Sequence, residues 1–222
     1  MGIPIWRAHR SIDGERKTEK PIASLNQEEK PFIAGHDWDA LFETVSVCQA
    51  CDLHKARKNI VFGVGDKTAQ LMVIGESPGI DEEANGEPFL GDAGRLLNRM
   101  LFSIGLARNT VYMTNTIKCH VPDGQKLQVE FIAPCADYLT QQIMLLNPQV
   151  ILAVGAVSAQ HLLNCKQKIS ELRENSHIHP EFDIPVIATY HPGYLRRSPS
   201  AKLKVWQDLL RVKSLLEKQT SA

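Results

Sequence analysis

The chain has 222 residues, 43% of them apolar, with 25 basic and 25 acidic side chains and no net charge. That length supports one sizeable α/β domain with a full core. No apolar run approaches a membrane span, the first residues lack the pattern of a secretory signal, and zero net charge leaves any nucleic-acid contact to a local patch; a cytoplasmic protein is the expectation.

Residues 1–36 are charged and proline-containing, without sustained periodicity. They predict a mobile arm, in which Ile3, Pro4, Ile5 and Trp6 form a candidate motif for a protein partner. The ordered domain is expected over residues 37–222. Asp37 is an N-cap candidate for a helix through Leu41, Phe42 and Val45. That helix delivers Cys48 and Cys51 in a C-x2-C spacing, followed by a basic loop with His54, Lys55, Arg57 and Lys58.

Residues 71–74 are four apolar residues in a row, a buried-strand signal. They run into Gly75, Glu76, Ser77, Pro78 and Gly79, a turn whose glycines let another molecule approach the backbone. Between Glu76 and Asp92 lie six carboxylates and no Lys or Arg. Phe89 sets an aromatic ring in this acidic loop. Ala93, Leu96, Leu97, Met100, Leu101 and Ile104 then recur at helical spacing, and Gly105 stops that helix. Residues 111–115 read as a second strand, ending at Asn115 and leading to Cys119. Phe131, Ile132, Cys135, Tyr138, Leu139 and Ile143 mark the next helix. Residues 150–154 read as a third strand with Gly155 at its end, and a helix through Ala159 and Leu162 follows. Residues 185–189 read as a fourth strand, ending in a loop with His191. A last amphipathic helix carries Leu203, Trp206, Leu209, Leu210 and Leu216.

Four β–α units in series imply a parallel sheet with helices on both faces. Sites in such sheets lie beyond the carboxyl ends of the strands. Glu76, Asn115 and His191 each follow or end a strand, so acid, amide and imidazole should converge. Five cysteines in such a chain argue for metal or redox chemistry over a disulfide framework. Cys48, Cys51, Cys119 and Cys135 suit either zinc or a [4Fe-4S] cluster. Cys165, expected in the helix after the third strand, reads as a core thiol.

Three motifs in order, GESPGIDEEANGEPFLGDAG at residues 75–94, VYMTNTIKC at 111–119 and HPGYLRRSP at 191–199, together with the four cysteines, resemble the family-four uracil-DNA glycosylases. These are the iron-sulfur members of the uracil-DNA glycosylase superfamily. The resemblance implies a three-layer α/β/α fold with a central four-stranded parallel sheet. It implies a [4Fe-4S] cluster on Cys48, Cys51, Cys119 and Cys135, and excision of uracil from single- or double-stranded DNA by a monomer. Ser77 stands where the family usually has Ala or Gly, at a position facing the sugar.

The resemblance also implies roles. A flipped base would lie against Gly75 and stack on Phe89, and Asn115 would pair with uracil O4 and N3–H. Glu82 would form the wall that excludes thymine. Glu76 would hold a water beside the cationic sugar, and His191 would donate to the leaving base at O2. Residues 195–213 hold six Lys or Arg against Asp208; Arg196 and Arg197 would meet phosphates, and Leu195 would wedge into the vacated stack. Two other readings remain: a catalytically weak iron-sulfur DNA-binding accessory of replication or repair, and an unrelated α/β enzyme with structural zinc.

Overall fold

The structure, a computed structural model, describes residues 37–122, 127 and 129–220. The arm and partner motif expected over residues 1–36 lie outside them. Asp37 caps helix α1 (Trp38–Ser46), its carboxylate accepting from Asp39 N at 3.1 Å. A two-residue strand β1 (Val64–Gly65) precedes β2 (Leu71–Gly75), α2 (Ile80–Asn85) and α3 (Gly91–Phe102). Then come β3 (Tyr112–Asn115), α4 (Val129–Leu146), β4 (Val150–Val154), α5 (Ala156–Leu162) and α6 (Ile169–Leu172). Strands β5 (Ser176–Ile178) and β6 (Pro185–Thr189), then α7 (Pro192–Arg197) and α8 (Lys202–Thr220), complete the order.

The sheet has six strands in the order β1-β3-β2-β4-β6-β5. This corrects the expectation of four. The central four are the predicted ones and run parallel; β1 and β5 are short antiparallel additions at the two edges. Strands of two and three residues are too short to show a period of two in sequence. They leave little open edge for other chains to pair with.

Alternation along the strands divides the core. Leu71, Val73, Leu152, Val154 and Ile187 point to one face, under Leu97, Met100 and Leu101 of α3 and Val205, Leu209 and Val212 of α8. Met72, Ile74, Ile151, Ala153, Val186 and Ala188 point to the other, under Leu139 and Ile143 of α4, Leu162 of α5 and Leu172 of α6. Both faces are covered, which is why these strands read as continuous apolar runs. Among the described residues no helix is long and apolar enough to cross a membrane.

The register brings the working residues to one edge. Gly75 pairs with Asn115, and Val154 pairs with Thr189. Glu76, Gly155 and Tyr190 therefore follow at one level beyond the carboxyl ends.

Candidate active site

Glu76 leaves β2 and turns over the end of β4. Its Oε1 accepts from Val157 N at 3.1 Å, in the first turn of α5. The carboxylate lies where a side chain on Gly155 would be: a Cβ there would meet Glu76 Oε1 and stand 2.8 Å from Cδ. Gly155 also has φ +107, a conformation that L side chains rarely adopt.

His191 is the N-cap of α7, with Pro192 at the first helical position, where its missing N–H costs nothing. His191 Nδ1 accepts from Gly193 N at 3.1 Å. In the neutral ring the proton is then on Nε2, which is left as a donor. Burial holds the His191 imidazole below its ordinary range; the Glu76 carboxylate pulls the other way, and Arg197 adds to the lowering. Glu76 and His191 line one open pocket of about 760 Å³, together with Tyr190, Tyr194, Lys168 and Arg197. The rings of Tyr190 and Tyr194 lie 5.0 Å apart on its wall.

Phe89 and Asn115 lie deeper, 3% and 2% exposed. They meet over Gly75. A Cβ at 75 would stand 2.7 Å from Phe89 Cζ and closer still to Asn115 Oδ1, so the amide and the ring close on the same backbone spot. Asn115 Nδ2 is buried and has no hydrogen-bond partner among the described residues. An unsatisfied buried donor costs about 1–3 kcal/mol. A ligand acceptor would remove that cost.

The backbone of Phe89 is itself strained, at φ +55. Arg108 holds it there, donating from Nη1 to Phe89 O at 3.1 Å and from Nη2 to Pro88 O at 2.7 Å. Gly94 allows the Phe89 carbonyl to pack against α3, since any Cβ at 94 would overlap it.

The four predicted cysteines gather. Cys48 and Cys51 follow α1, Cys119 follows β3 and Cys135 lies in α4, and all four line one small void with Arg57, Lys118 and Tyr138. Arg57 donates to Cys119 Sγ at 3.5 Å. Burial pushes the Cys119 thiol up and takes Cys135 to about 11. Thiolates form in such a place when a metal charge compensates them. Among the described residues no three Cys, His, Asp or Glu groups are placed to hold a single ion.

Comparison with known proteins gives the family. Residues 62–210 match the model of the uracil DNA glycosylase superfamily. The chain belongs to the uracil DNA glycosylase superfamily. It is 35% identical over 192 residues to a type-4 uracil-DNA glycosylase of Archaeoglobus fulgidus, an alignment covering 82% of this chain and 94% of that one. It is 37% identical over 180 residues to a type-4 uracil-DNA glycosylase of Thermotoga maritima, covering 80% and 93%. A third, from Saccharolobus solfataricus, is 36% identical over 185 residues, covering 80% and 86%.

In this superfamily member several expectations are redrawn. The acidic loop contains α2, and the His191 loop is the start of α7. Leu195, expected as a wedge, is 1% exposed and packed in the core; the exposed apolar side chain of α7 is Tyr194, at 40%. Glu82 is committed to backbone: Oε2 accepts from Gly79 N at 3.0 Å and Oε1 from Leu90 N at 3.1 Å. Burial raises its carboxyl above the ordinary range against these hydrogen bonds. It braces α2 against the Phe89 loop. Arg197 lines the pocket of Glu76 and His191, whereas Arg196 lines a separate groove and pairs with Asp92 at 2.5 Å. Ser77 is half-buried. Cys165 lies beyond α5, not in it, and is only partly buried against the core.

Four contributing residues had no role assigned from the sequence. Arg108 is one arginine before a strand. Arg173 and Asp208 form a buried pair at 2.8 Å that also holds Thr189 Oγ1, 2.8 Å from Asp208 Oδ2, and places the Arg173 guanidinium 5.5 Å from the Tyr190 ring. Lys118 is fully buried, donating to Thr114 Oγ1 at 2.7 Å, Asn115 O at 2.7 Å and Gln142 Oε1 at 2.6 Å. Burial brings its ammonium down to about 7.

Proposed function

We propose that this protein excises uracil from DNA by hydrolysing the N-glycosidic bond of a flipped-out deoxyuridine, the first step of base excision repair. The observation that carries the reading is the orphan Asn115 donor, closed with the Phe89 ring over Gly75 beside Glu76. A side-chain amide offers a donor and an acceptor, which matches uracil O4 and N3–H. Cytosine reverses both and would leave buried groups unpaired, a mismatch worth about four orders of magnitude. The names of the relatives agree with this substrate.

The chemistry follows from the placement of charge. The bond between the sugar C1′ and uracil N1 breaks, and its electron pair leaves with the base. Positive charge grows on the sugar and negative charge on uracil O2. His191, neutral with its proton on Nε2, donates to O2 and needs no prior protonation. Glu76, fixed by Val157 N, faces the cationic sugar and orients the attacking water, which adds to C1′ and passes a proton to the carboxylate; that proton then goes through solvent to the departing uracil anion. Products are free uracil and an abasic sugar. Ser77, one residue on, is proposed to contact that water. Arg197, on the pocket wall, is proposed to meet a phosphate of the flipped nucleotide.

Cys48, Cys51, Cys119 and Cys135 are proposed to hold a [4Fe-4S] cluster. A shared void lined by four sulfurs that come from three separate segments suits a multi-atom cluster. Their four thiolates would hold it, and the bonds would tie α1, the segment after β3 and α4 together.

The test is single-turnover incubation with matched oligonucleotides carrying uracil, cytosine, thymine or hypoxanthine. Release of uracil with cytosine and thymine untouched is the expected result. DNA binding without release of any base would leave the accessory reading in its place.

A further inference from the structure

The geometry points to a second DNA contact: the groove between α3 and α7, on the far side of α7 from the catalytic pocket, holds backbone phosphates of the strand that leaves the pocket. This inference rests on DNA being the substrate.

The groove encloses about 390 Å³. Its polar rim is Arg95 and Arg99 from α3, Arg196 from α7 and Lys202 from α8. All four are exposed. Asp92 is the one carboxylate lining it, and Arg95 and Arg196 both bond to it. Among the described residues neither Arg99 nor Lys202 forms an ion pair. Four cations around one acid stand out in a chain of zero net charge.

Arg95 and Arg99 are four residues apart on one helix, so they are neighbours on its surface, where like charges lower helix stability. An anion between the rims turns that repulsion into attraction. The shared Asp92 positions Arg95 and Arg196 across the groove and leaves Arg99 and Lys202 free to meet it.

Position selects the anion. Adjacent residues of α7 serve the two depressions: Arg197 lines the catalytic pocket and Arg196 the groove. An α-helix with its side chains is about 10 Å wide, and phosphates of one strand recur about every 3.4 Å along a duplex. A strand crossing α7 therefore brings a phosphate about two to three nucleotides from the flipped base into the groove. The groove floor, Leu96 and Leu195, offers nothing to read a base edge, so the contact is independent of sequence.

The experiment compares wild type with the Arg95→Gln/Arg99→Gln double variant, neither residue lying in the catalytic pocket. Affinity for a uracil-free 30-mer duplex is measured over a salt series, and single-turnover excision at saturating enzyme is measured on a uracil 30-mer and on a uracil trinucleotide. The double variant should bind the 30-mer several-fold to about tenfold more weakly at low salt, with the slope of log affinity against log salt shallower by about one to two, Arg99 giving the larger share because Arg95 is already paired with Asp92. Its saturated rate on the 30-mer and its rate on the trinucleotide, too short to cross α7, should match wild type. Arg95→Lys/Arg99→Lys should restore the slope. An unchanged slope, or equal losses on trinucleotide and 30-mer, would overturn the groove. Uracil release with an unchanged slope sinks the groove alone; the shallower slope in a protein that releases no uracil sinks the catalytic reading alone.

Discussion

At the scale of single residues, the molecule keeps one amide donor, Asn115 Nδ2, buried and without a partner among the described residues. Asn115→Asp replaces that donor with an acceptor and adds a charge that repels the leaving base. Uracil excision should fall by at least about a hundredfold, the scale of losing one donor aimed at developing charge, with iron content near normal. Weak cytosine release is expected in its place, since a carboxylate accepts from the cytosine amino group. Single-turnover rates on matched uracil and cytosine substrates decide it, and near-wild-type uracil excision would remove Asn115 from the recognition.

His191 gives a pH prediction. Burial depresses its folded pKa below the ordinary value of about 6.5. The neutral buried ring contributes stability that is complete above about pH 6.5 and is lost as pH falls below it, because the unfolded chain takes up the proton first. Catalysis should hold to lower pH than that. It drops when the folded ring itself protonates and Nδ1 can no longer accept from Gly193 N. Urea midpoints and saturated excision rates over one pH series test the order. An excision rate that falls while stability is still at its plateau would contradict the tautomer assigned here.

At the scale of elements, the His191 segment is held from behind. Asp208 of α8 is fully buried and binds Arg173 and Thr189, and Arg173 faces Tyr190, which precedes His191. Asp208→Asn leaves a buried guanidinium without its counter-charge, so a loss of about 3–5 kcal/mol is expected. Chemical denaturation should show it as a lower midpoint, and a change under about 1 kcal/mol would mean that water and the Lys204 carbonyl, which already accepts from Arg173 Nη2, are enough for the guanidinium. This brace was invisible in sequence, because Arg173 and Asp208 lie 35 residues apart with no motif around either. The four central strands were legible because both faces of the sheet are buried. Helices α2 and α7 were not. Each has six residues, too few for periodicity, and they are capped by Gly79 and by His191 in place of the usual Ser, Thr, Asp or Asn. With α7 unseen, the inward direction of Leu195 could not be read either. The polar ends of strands led to the expectation that Glu76, Asn115 and His191 converge; Glu76 and His191 line one pocket, and Asn115 lies deeper, against Gly75.

At the scale of the whole molecule, the cysteine void and the base pocket are joined by a short span of chain. Asn115 and Cys119 lie four residues apart, and Lys118 between them bonds to the Asn115 carbonyl while lining the void. Cys135→Ser should lose iron, lower the melting temperature and weaken uracil excision together. Cys165→Ser, outside the void, should keep its iron and its activity. Iron and absorbance near 400 nm, measured on both variants, check the assignment; iron lost from the Cys165 variant and kept in the other would reverse it.

The strand order also carries a temporal consequence. Strand β2 emerges first among the central four, β3 adds to one side of it, β4 to the other, and β6 joins beyond β4. The sheet grows outward from its middle as the chain lengthens, and the imidazole arrives just after the last of these strands. All four cysteines lie in the first 135 residues, so they can gather before that strand exists. During synthesis, ligation of the proposed cluster should therefore precede catalytic competence. Nascent chains stalled before β6 should already carry iron while releasing no uracil; stalled chains without iron would contradict this order.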